Sequence, residues 1–256
     1  MPVNIHTTVV GEGAPVVLIH GLFGMGSNLG ALARALSDGY RVYSVDLPNH
    51  GRSGWLDSAD IPAMADALFA WMDHQGLATA ALVGHSLGGK VAMAMALGNP
   101  GRVSSLVVAD IAPVAYPPGH RGEFAALSAV AESHCASRAE AGELMRLHIE
   151  EEMVVQFLLK NLTRNDDGVF NWRFNLPGIM ASYDLIRAAV PLAPAYTGPV
   201  LFIKGGDSNY VSAAHTEEIL ALFPSVSLKV MPGCGHWLHA QQPQLFNRLV
   251  RRFLDH

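Results

Sequence analysis

Basic residues, cysteines and long apolar stretches are all scarce in this 256-residue chain, and each scarcity removes a class of protein. Lys and Arg number 17 against 22 Asp and Glu, a net charge of -5, so no basic stripe is present to neutralise phosphates and neither DNA nor RNA is an expected partner. The two cysteines, Cys135 and Cys234, lie far apart and make no metal or redox spacing. They are expected as free thiols in a reducing compartment. No apolar run reaches the length of a membrane span, and Met1 to His6 lacks the basic-then-apolar pattern of a secretory signal. A cytoplasmic location is therefore expected. Charged residues make up 15% of the chain and hydrophobic ones 50%, which describes a globular protein with a sizeable core rather than a disordered one. The length suits one large α/β unit.

Short β-branched runs alternate with helical patterns, as in a mostly parallel sheet flanked by helices on both faces. Strands are expected at Val16–Ile19, Arg41–Val45, Ala80–Val83, Val103–Ala109, Val200–Ile203 and Ser227–Val230. Helices are expected near Leu29–Ser37, Ala63–His74, Lys90–Leu97, Ala213–Leu222 and Gln244–Leu254. Val3–Val10, ending in Gly11-Glu12-Gly13, reads as the start of an antiparallel hairpin. The alternation breaks between Ile111 and Thr197, where helical patterns follow one another without a convincing buried strand. Residues 113–197 are therefore expected to form a helical cap inserted before the next-to-last strand, with 1–112 and 198–256 as the core. Prolines at both ends, Pro113, Pro117 and Pro118, then Pro191, Pro194 and Pro199, stiffen the two crossings. Met153, Val154, Phe157 and Leu158 recur at helical spacing; packing within the cap is the more economical reading for most of them.

The most informative segment is Gly84-His85-Ser86-Leu87-Gly88, which sets one serine between small residues, after an apolar run and before an alanine-rich helix. This is the pattern of the nucleophile elbow of α/β-hydrolases. A Cβ at position 84 or 88 would collide with the neighbouring strand or helix if the turn closes tightly. A serine hydroxyl is a poor nucleophile near neutral pH, so Ser86 needs a base and an acid behind it, in the chain order Ser, acid, His. His236, in Gly233-Cys234-Gly235-His236-Trp237 after the last expected strand, is the candidate base. His239 falls at the entry to the next helix, and His85 is expected to point away from the site.

Two residues compete for the acid. Asp207 lies in Lys204-Gly205-Gly206-Asp207-Ser208 after the next-to-last strand, but the usual acid spacing there falls on Ser208. Asp110 ends the strand before the insertion, where α/β active sites gather, and is preferred, with Asp207 as the alternative. An oxyanion hole requires two converging N–H groups, expected from Leu87 and from Leu22 in His20-Gly21-Leu22-Phe23-Gly24. Asp46 and His50, in Asp46-Leu47-Pro48-Asn49-His50-Gly51-Arg52-Ser53, read as loop scaffolding rather than a second acid–base pair.

Together with Asp110-Ile111-Ala112-Pro113 and Trp172-Arg173-Phe174-Asn175-Leu176, these motifs make the chain similar to the YbfF-type esterases of the α/β-hydrolase superfamily over nearly its whole length. The resemblance implies hydrolysis of acyl esters, with acyl-coenzyme A thioesters as a second substrate class, and no cofactor or metal. It also implies that the acid comes from the Asp-Ile-Ala-Pro strand end. The group tends to carry Asn where this chain has Asp207, a departure that leaves a rescue role for that carboxylate open. A serine at the elbow argues against haloalkane dehalogenases and epoxide hydrolases, which need a carboxylate there. Carbon–carbon bond hydrolases and triad lyases of the same fold share the motif, and a ligand receptor with a vestigial triad is the reading from another class. Neither the substrate's acyl and alcohol groups nor the oligomeric state is legible.

Overall fold

A computed structural model describes residues 3–165, 168–191 and 193–256. Met1 and Pro2 of the expected core and Asp166, Asp167 and Leu192 of the expected cap lie outside the described residues. The strands are β1 Thr7–Val10, β2 Ala14–Ile19, β3 Tyr40–Val45, β4 Ala80–His85, β5 Val103–Ala109, β6 Leu162–Arg164, β7 Phe170–Trp172, β8 Val200–Gly205 and β9 Val226–Met231. The helices are α1 Gly30–Leu36, α2 Ile61–His74, α3 Leu87–Gly98, α4 Arg121–Ser133, α5 Arg138–Arg146, α6 Glu152–Leu159, α7 Leu176–Ala181, α8 Tyr183–Ile186, α9 Thr216–Leu222, α10 Leu238–Gln241 and α11 Pro243–Leu254. A seven-stranded sheet in the order β1-β3-β2-β4-β5-β8-β9 is parallel except for β1. Among the described residues, no helix is long and apolar enough to cross a membrane.

Period-two alternation explains why β2 to β5 and β8 read as continuous apolar runs: both of their faces are covered, whereas the edge strands β1 and β9 are largely exposed. Val17 and Ile19 of β2 join one core with α2 and α3, while Val16 and Leu18 join the other with α1 and α11. Helix α3 is buried on nearly all sides, Met93 fully and Ala94 only partly. Helix α2 begins where the Asp60 carboxylate accepts from Ala63 N at 2.7 Å, with Pro62 in its first turn.

Two expectations need correction. The N-terminal strand is antiparallel but forms no hairpin with its successor, because β1 pairs with β3 and β2 lies on the far side of β3. The segment between β5 and β8 is also not purely helical. It holds α4 to α8 and the antiparallel pair β6–β7, whose strands of three residues each are too short for alternation to stand out in sequence. The two crossings into this insertion run beside each other, since Val190 N donates to Pro113 O at 3.0 Å and Tyr116 N to Arg187 O at 3.0 Å. Lys90, from α3, donates to Arg187 O at 3.0 Å and Ala188 O at 2.6 Å, fastening the return crossing to the sheet's helix layer.

Candidate active site

Chain connectivity reverses direction between β2 and β4, which are neighbours with β3 to one side and β5 to the other. In open α/β sheets the crevice beyond the carboxyl ends of strands at such a reversal is where ligands bind. The loop after β2 carries Gly21 to Gly24, and Ser86 immediately follows β4. The elbow is as tight as its glycines require. A Cβ on Gly84 would stand 2.2 Å from Gly88 O, and one on Gly88 would stand 2.2 Å from Ile19 O. Ser86 itself has φ 53° and ψ -120°, a conformation costing about 1–3 kcal/mol for a residue with a side chain. It is held by Ser86 N donating to Ala109 O at 3.0 Å and by Ser86 O accepting from Gly89 N at 2.8 Å.

Ser86, Asp110 and His236 come together. His236 Nε2 lies 3.0 Å from Ser86 Oγ, and His236 Nδ1 lies 2.8 Å from Asp110 Oδ2. A carboxylate can only accept, so Nδ1 carries the ring proton and Nε2 is the free base facing the serine. Asp110 is fully buried and also has positive φ, at 52°. Its N–H donates to Ile203 O at 2.8 Å, its Oδ1 accepts from Gly205 N at 2.9 Å, and its Oδ2 accepts from Ser208 Oγ. Asp207, the alternative acid, is exposed, and its backbone N–H donates to Cys234 O at 2.9 Å. The position of usual acid spacing is thus filled by a serine that donates to the carboxylate from the other strand.

Sequence reasoning missed several residues of this cluster. Ser208 had a signal, because the spacing pointed at it, but only as a carboxylate position left vacant. The Tyr210 ring stacks on His236 with centroids 4.0 Å apart, and its carbonyl accepts from Tyr116 Oη, which in turn accepts from Ala112 N at 2.8 Å. No motif announces that arrangement, because it joins residues from two loops and the first crossing. His85 was expected to point away; instead its Nε2 donates to the His236 carbonyl at 2.9 Å and its ring lies 4.8 Å from the His236 ring. The elbow turns only Ser86 outward, so the preceding side chain lies beneath the histidine loop. Burial holds His85 well below its ordinary value, and His239 and His236 push the same way. Burial likewise lowers His239 to about 4.

Asp46 and His50 play the scaffolding part expected of them. The Asp46 carboxylate accepts from Gly26 N at 2.6 Å and Arg52 N at 2.8 Å, while Leu47 N donates to His20 Nε2 at 2.9 Å. His20 and His50 rings lie 5.3 Å apart, and burial lowers His50 to about 3. The Trp-Arg-Phe-Asn segment is also structural: Trp172 Nε1 donates to Leu127 O at 2.9 Å, and Asn175 Oδ1 accepts from Gly178 N at 3.1 Å to cap α7. Asn161, fully buried, donates to Phe23 O at 2.7 Å and so ties the insertion to the loop after β2.

Two cavities meet at Ser86. One, of about 420 Å³, lies on the His236 side beneath Phe157 and Trp237. The other, of about 430 Å³, runs past Leu87 toward Tyr116, Ile186 and Lys90. Leu22 borders both. Val154 and Leu158 of α6 are buried, but Met153 is 40% exposed, and all three line the first cavity along with Phe157. The Phe157 ring lies 4.4 Å from that of Trp237, joining the insertion to the histidine loop. Burial, with Arg187 adding, brings Lys90 down to about 7.

Residues 16–249 match the model of the alpha/beta hydrolase family. The chain is 43% identical to the esterase YbfF of Escherichia coli K12, over 94% of its own length and 93% of that protein's. It is 40% identical to the mouse sn-1-specific diacylglycerol lipase ABHD11, over 93% of this chain and 80% of the other. A solved marine microorganism esterase superposes with a TM-score of 0.95 at 34% identity, covering 98% of this chain and 99% of its own. The chain belongs to the α/β-hydrolase family and is a hydrolytic enzyme.

Proposed function

We propose that the protein hydrolyses carboxylic esters through an acyl-enzyme on Ser86, with His236 as base and Asp110 as the acid that orients it. The observation that carries this reading is the continuous chain from Ser86 Oγ through His236 to a buried carboxylate, at 3.0 Å and 2.8 Å. Ser86 Oγ attacks the ester carbon, its proton passes to His236 Nε2, and the carbonyl electrons collect on oxygen. The N–H groups of Leu22 and Leu87 are assigned to that oxyanion. Collapse of the intermediate breaks the bond to the alcohol oxygen, which takes the proton from His236. Water then repeats the sequence on the acyl-enzyme, releasing the acid and restoring Ser86. Residues 113–197 act as a cap that shapes both cavities, and a cytoplasmic location completes the reading, consistent with the free buried Cys135 and Cys234.

Acyl-coenzyme A thioesters are a second substrate class within the same chemistry. The carbon–carbon hydrolase and lyase readings have no residue in their favour beyond the shared triad. A receptor with a vestigial triad is disfavoured by hydrogen-bond distances that need no rearrangement for proton transfer. Ser86→Ala is expected to lose at least about 10³-fold in 4-nitrophenyl butyrate turnover, with an unchanged circular-dichroism spectrum, and to escape labelling by a fluorophosphonate. Near wild-type turnover in that variant would remove the assignment.

A further inference from the structure

The two cavities differ in charge, and the reaction tells them apart. His236 lines only the 420 Å³ cavity, whereas Leu87 lines only the 430 Å³ one. The proton that leaves His236 goes to the departing oxygen, so the alcohol part of the ester must lie on the His236 side. The acyl chain then takes the side of Tyr116 and Ile186. This assignment rests on the ester-hydrolase reading above.

On the alcohol side the wall carries Glu123, Glu151 and Asp207, and no lysine or arginine among its described lining residues. None of the three carboxylates has a salt-bridge partner among the described residues. The imidazole beside them, His120, is brought down to about 4 by burial and is therefore neutral near pH 7. Burial raises Glu123, and the neighbouring Glu151 adds to that, as expected for like charges facing one space without a counter-ion. Phe157, Trp237 and Tyr210 line the same cavity. Arg187, paired with Asp184, and Lys90, brought down to about 7, border the acyl side instead.

We propose that this partition selects the leaving group by charge, so that esters of cationic alcohols are turned over ahead of neutral ones and anionic ones come last. A cationic alcohol gains the attraction of three carboxylates and the faces of the aromatic rings. An anionic leaving group is repelled by the same carboxylates, and the phosphate-bearing coenzyme A thiol is one, so acyl-coenzyme A thioesters rank below neutral esters in this reading. Each partly exposed charge pair is worth little alone, and three of one sign acting together give about a tenfold effect per unit of ligand charge at low salt.

The test holds the acyl group fixed and varies only the alcohol: butyrylcholine, its neutral isostere 3,3-dimethylbutyl butyrate, and 3-sulfopropyl butyrate. The expected kcat/KM order is cationic, neutral, anionic, with about tenfold steps that shrink as salt is raised. The combined variant Glu123→Gln, Glu151→Gln, Asp207→Asn should flatten the series. A ratio taken within one preparation does not depend on how much of the variant is folded. Equal rates for the three esters, or an anionic ester turned over fastest, would overturn the proposal. So would a charge preference that appears when the charge is moved to the acyl part and not to the alcohol. Failure of the underlying reading looks different: none of the esters, 4-nitrophenyl butyrate included, would be hydrolysed in a Ser86-dependent way.

Discussion

The ends of β5 and β8 lie side by side in the sheet and converge on one imidazole, yet they contribute opposite partners to it. From β5 comes a carboxylate, Asp110, one residue past the last strand pairing and fixed by its own N–H on Ile203 O. From β8 come donors, the Gly205 N–H and the Ser208 hydroxyl, both directed at that carboxylate. Gly205 approaches the histidine loop so closely that a Cβ there would stand 2.3 Å from Gly235 O. One strand end supplies the carboxylate that reaches Nδ1 and its neighbour supplies the donors that fix it. The strand end that gives up the acid still holds it in place.

Removing the acid where it stands has the largest expected effect. Asp110→Asn is expected to cost on the order of 10⁴-fold in kcat, because an amide at that position stabilises the wrong imidazole tautomer. Moving the acid across tests interchangeability itself. Asp110→Ser combined with Ser208→Asp exchanges donor and acceptor between the two strand ends and should recover about tenfold or more over Asp110→Asn. A double variant no better than the single one would show that only the β5 end has the required reach.

A second way is to loosen the loop on which both strand ends converge. His239 lies under that loop, 8% exposed, with its ring 4.3 Å from that of His85 and its Nδ1 without a hydrogen-bond partner among the described residues. Its folded value of about 4 lies below the 6.5 of the unfolded chain, so the unfolded state takes up its proton first as pH falls. Stability present above pH 6.5 is therefore lost progressively toward pH 4, by up to about 3 kcal/mol from this residue. His239→Phe removes the titration without removing a hydrogen bond from Nδ1, and should flatten the fall in urea midpoint between pH 7 and 4.5. An undiminished acid slope would assign the loss to other buried imidazoles, His85 and His50 first.

Ser208→Ala probes the donor side. It deletes one hydrogen bond to a buried charged acceptor while leaving Gly205 N–H on the other oxygen. A loss of about tenfold in kcat, with KM little changed, is expected if the serine positions the carboxylate during proton transfer. A change confined to KM would place its effect on substrate instead.

What the sequence discloses depends on the kind of information each part of the molecule needs. The main strands and helices were legible because their apolar periods are set by burial on both faces, and strand ends differ from expectation by one or two residues. Ser86, Asp110 and His236 were legible because each follows a strand within its own local pattern: Ser86 at the turn into α3, Asp110 directly after β5 and His236 in the loop after β9. The β1–β3 pairing was not, since consecutive strands pair by default and nothing in Thr7–Val10 names a partner farther along. Tyr210 over His236, His85 beneath it and Asn161 on Phe23 O are contacts between residues distant in sequence, and they depend on how the insertion returns to the sheet. The division of charge between the cavities was illegible for the same reason, because Glu123, Glu151 and Asp207 are ordinary surface residues until the fold brings them to one wall.

The smallest effect belongs to the carboxylate that the usual spacing nearly selects. Asp207 is one position from Ser208, but one position along a loop turns the side chain to the opposite side, and here it faces solvent and the cavity wall while its N–H holds Cys234 O. His236 Nδ1 already donates its proton to Asp110, so a carboxylate so placed is not needed to hold it. Asp207→Asn keeps the shape and the backbone bond and removes one charge. With the uncharged substrate 4-nitrophenyl butyrate, kcat/KM should change by about threefold or less, against the much larger loss at Asp110. Measured in the Asp110→Asn background, the same substitution should add no more than that factor again. A further loss of tenfold or more in that background would mean that Asp207 rescues the imidazole when Asp110 is gone, and the division of labour between the two strand ends would then be a preference rather than a rule.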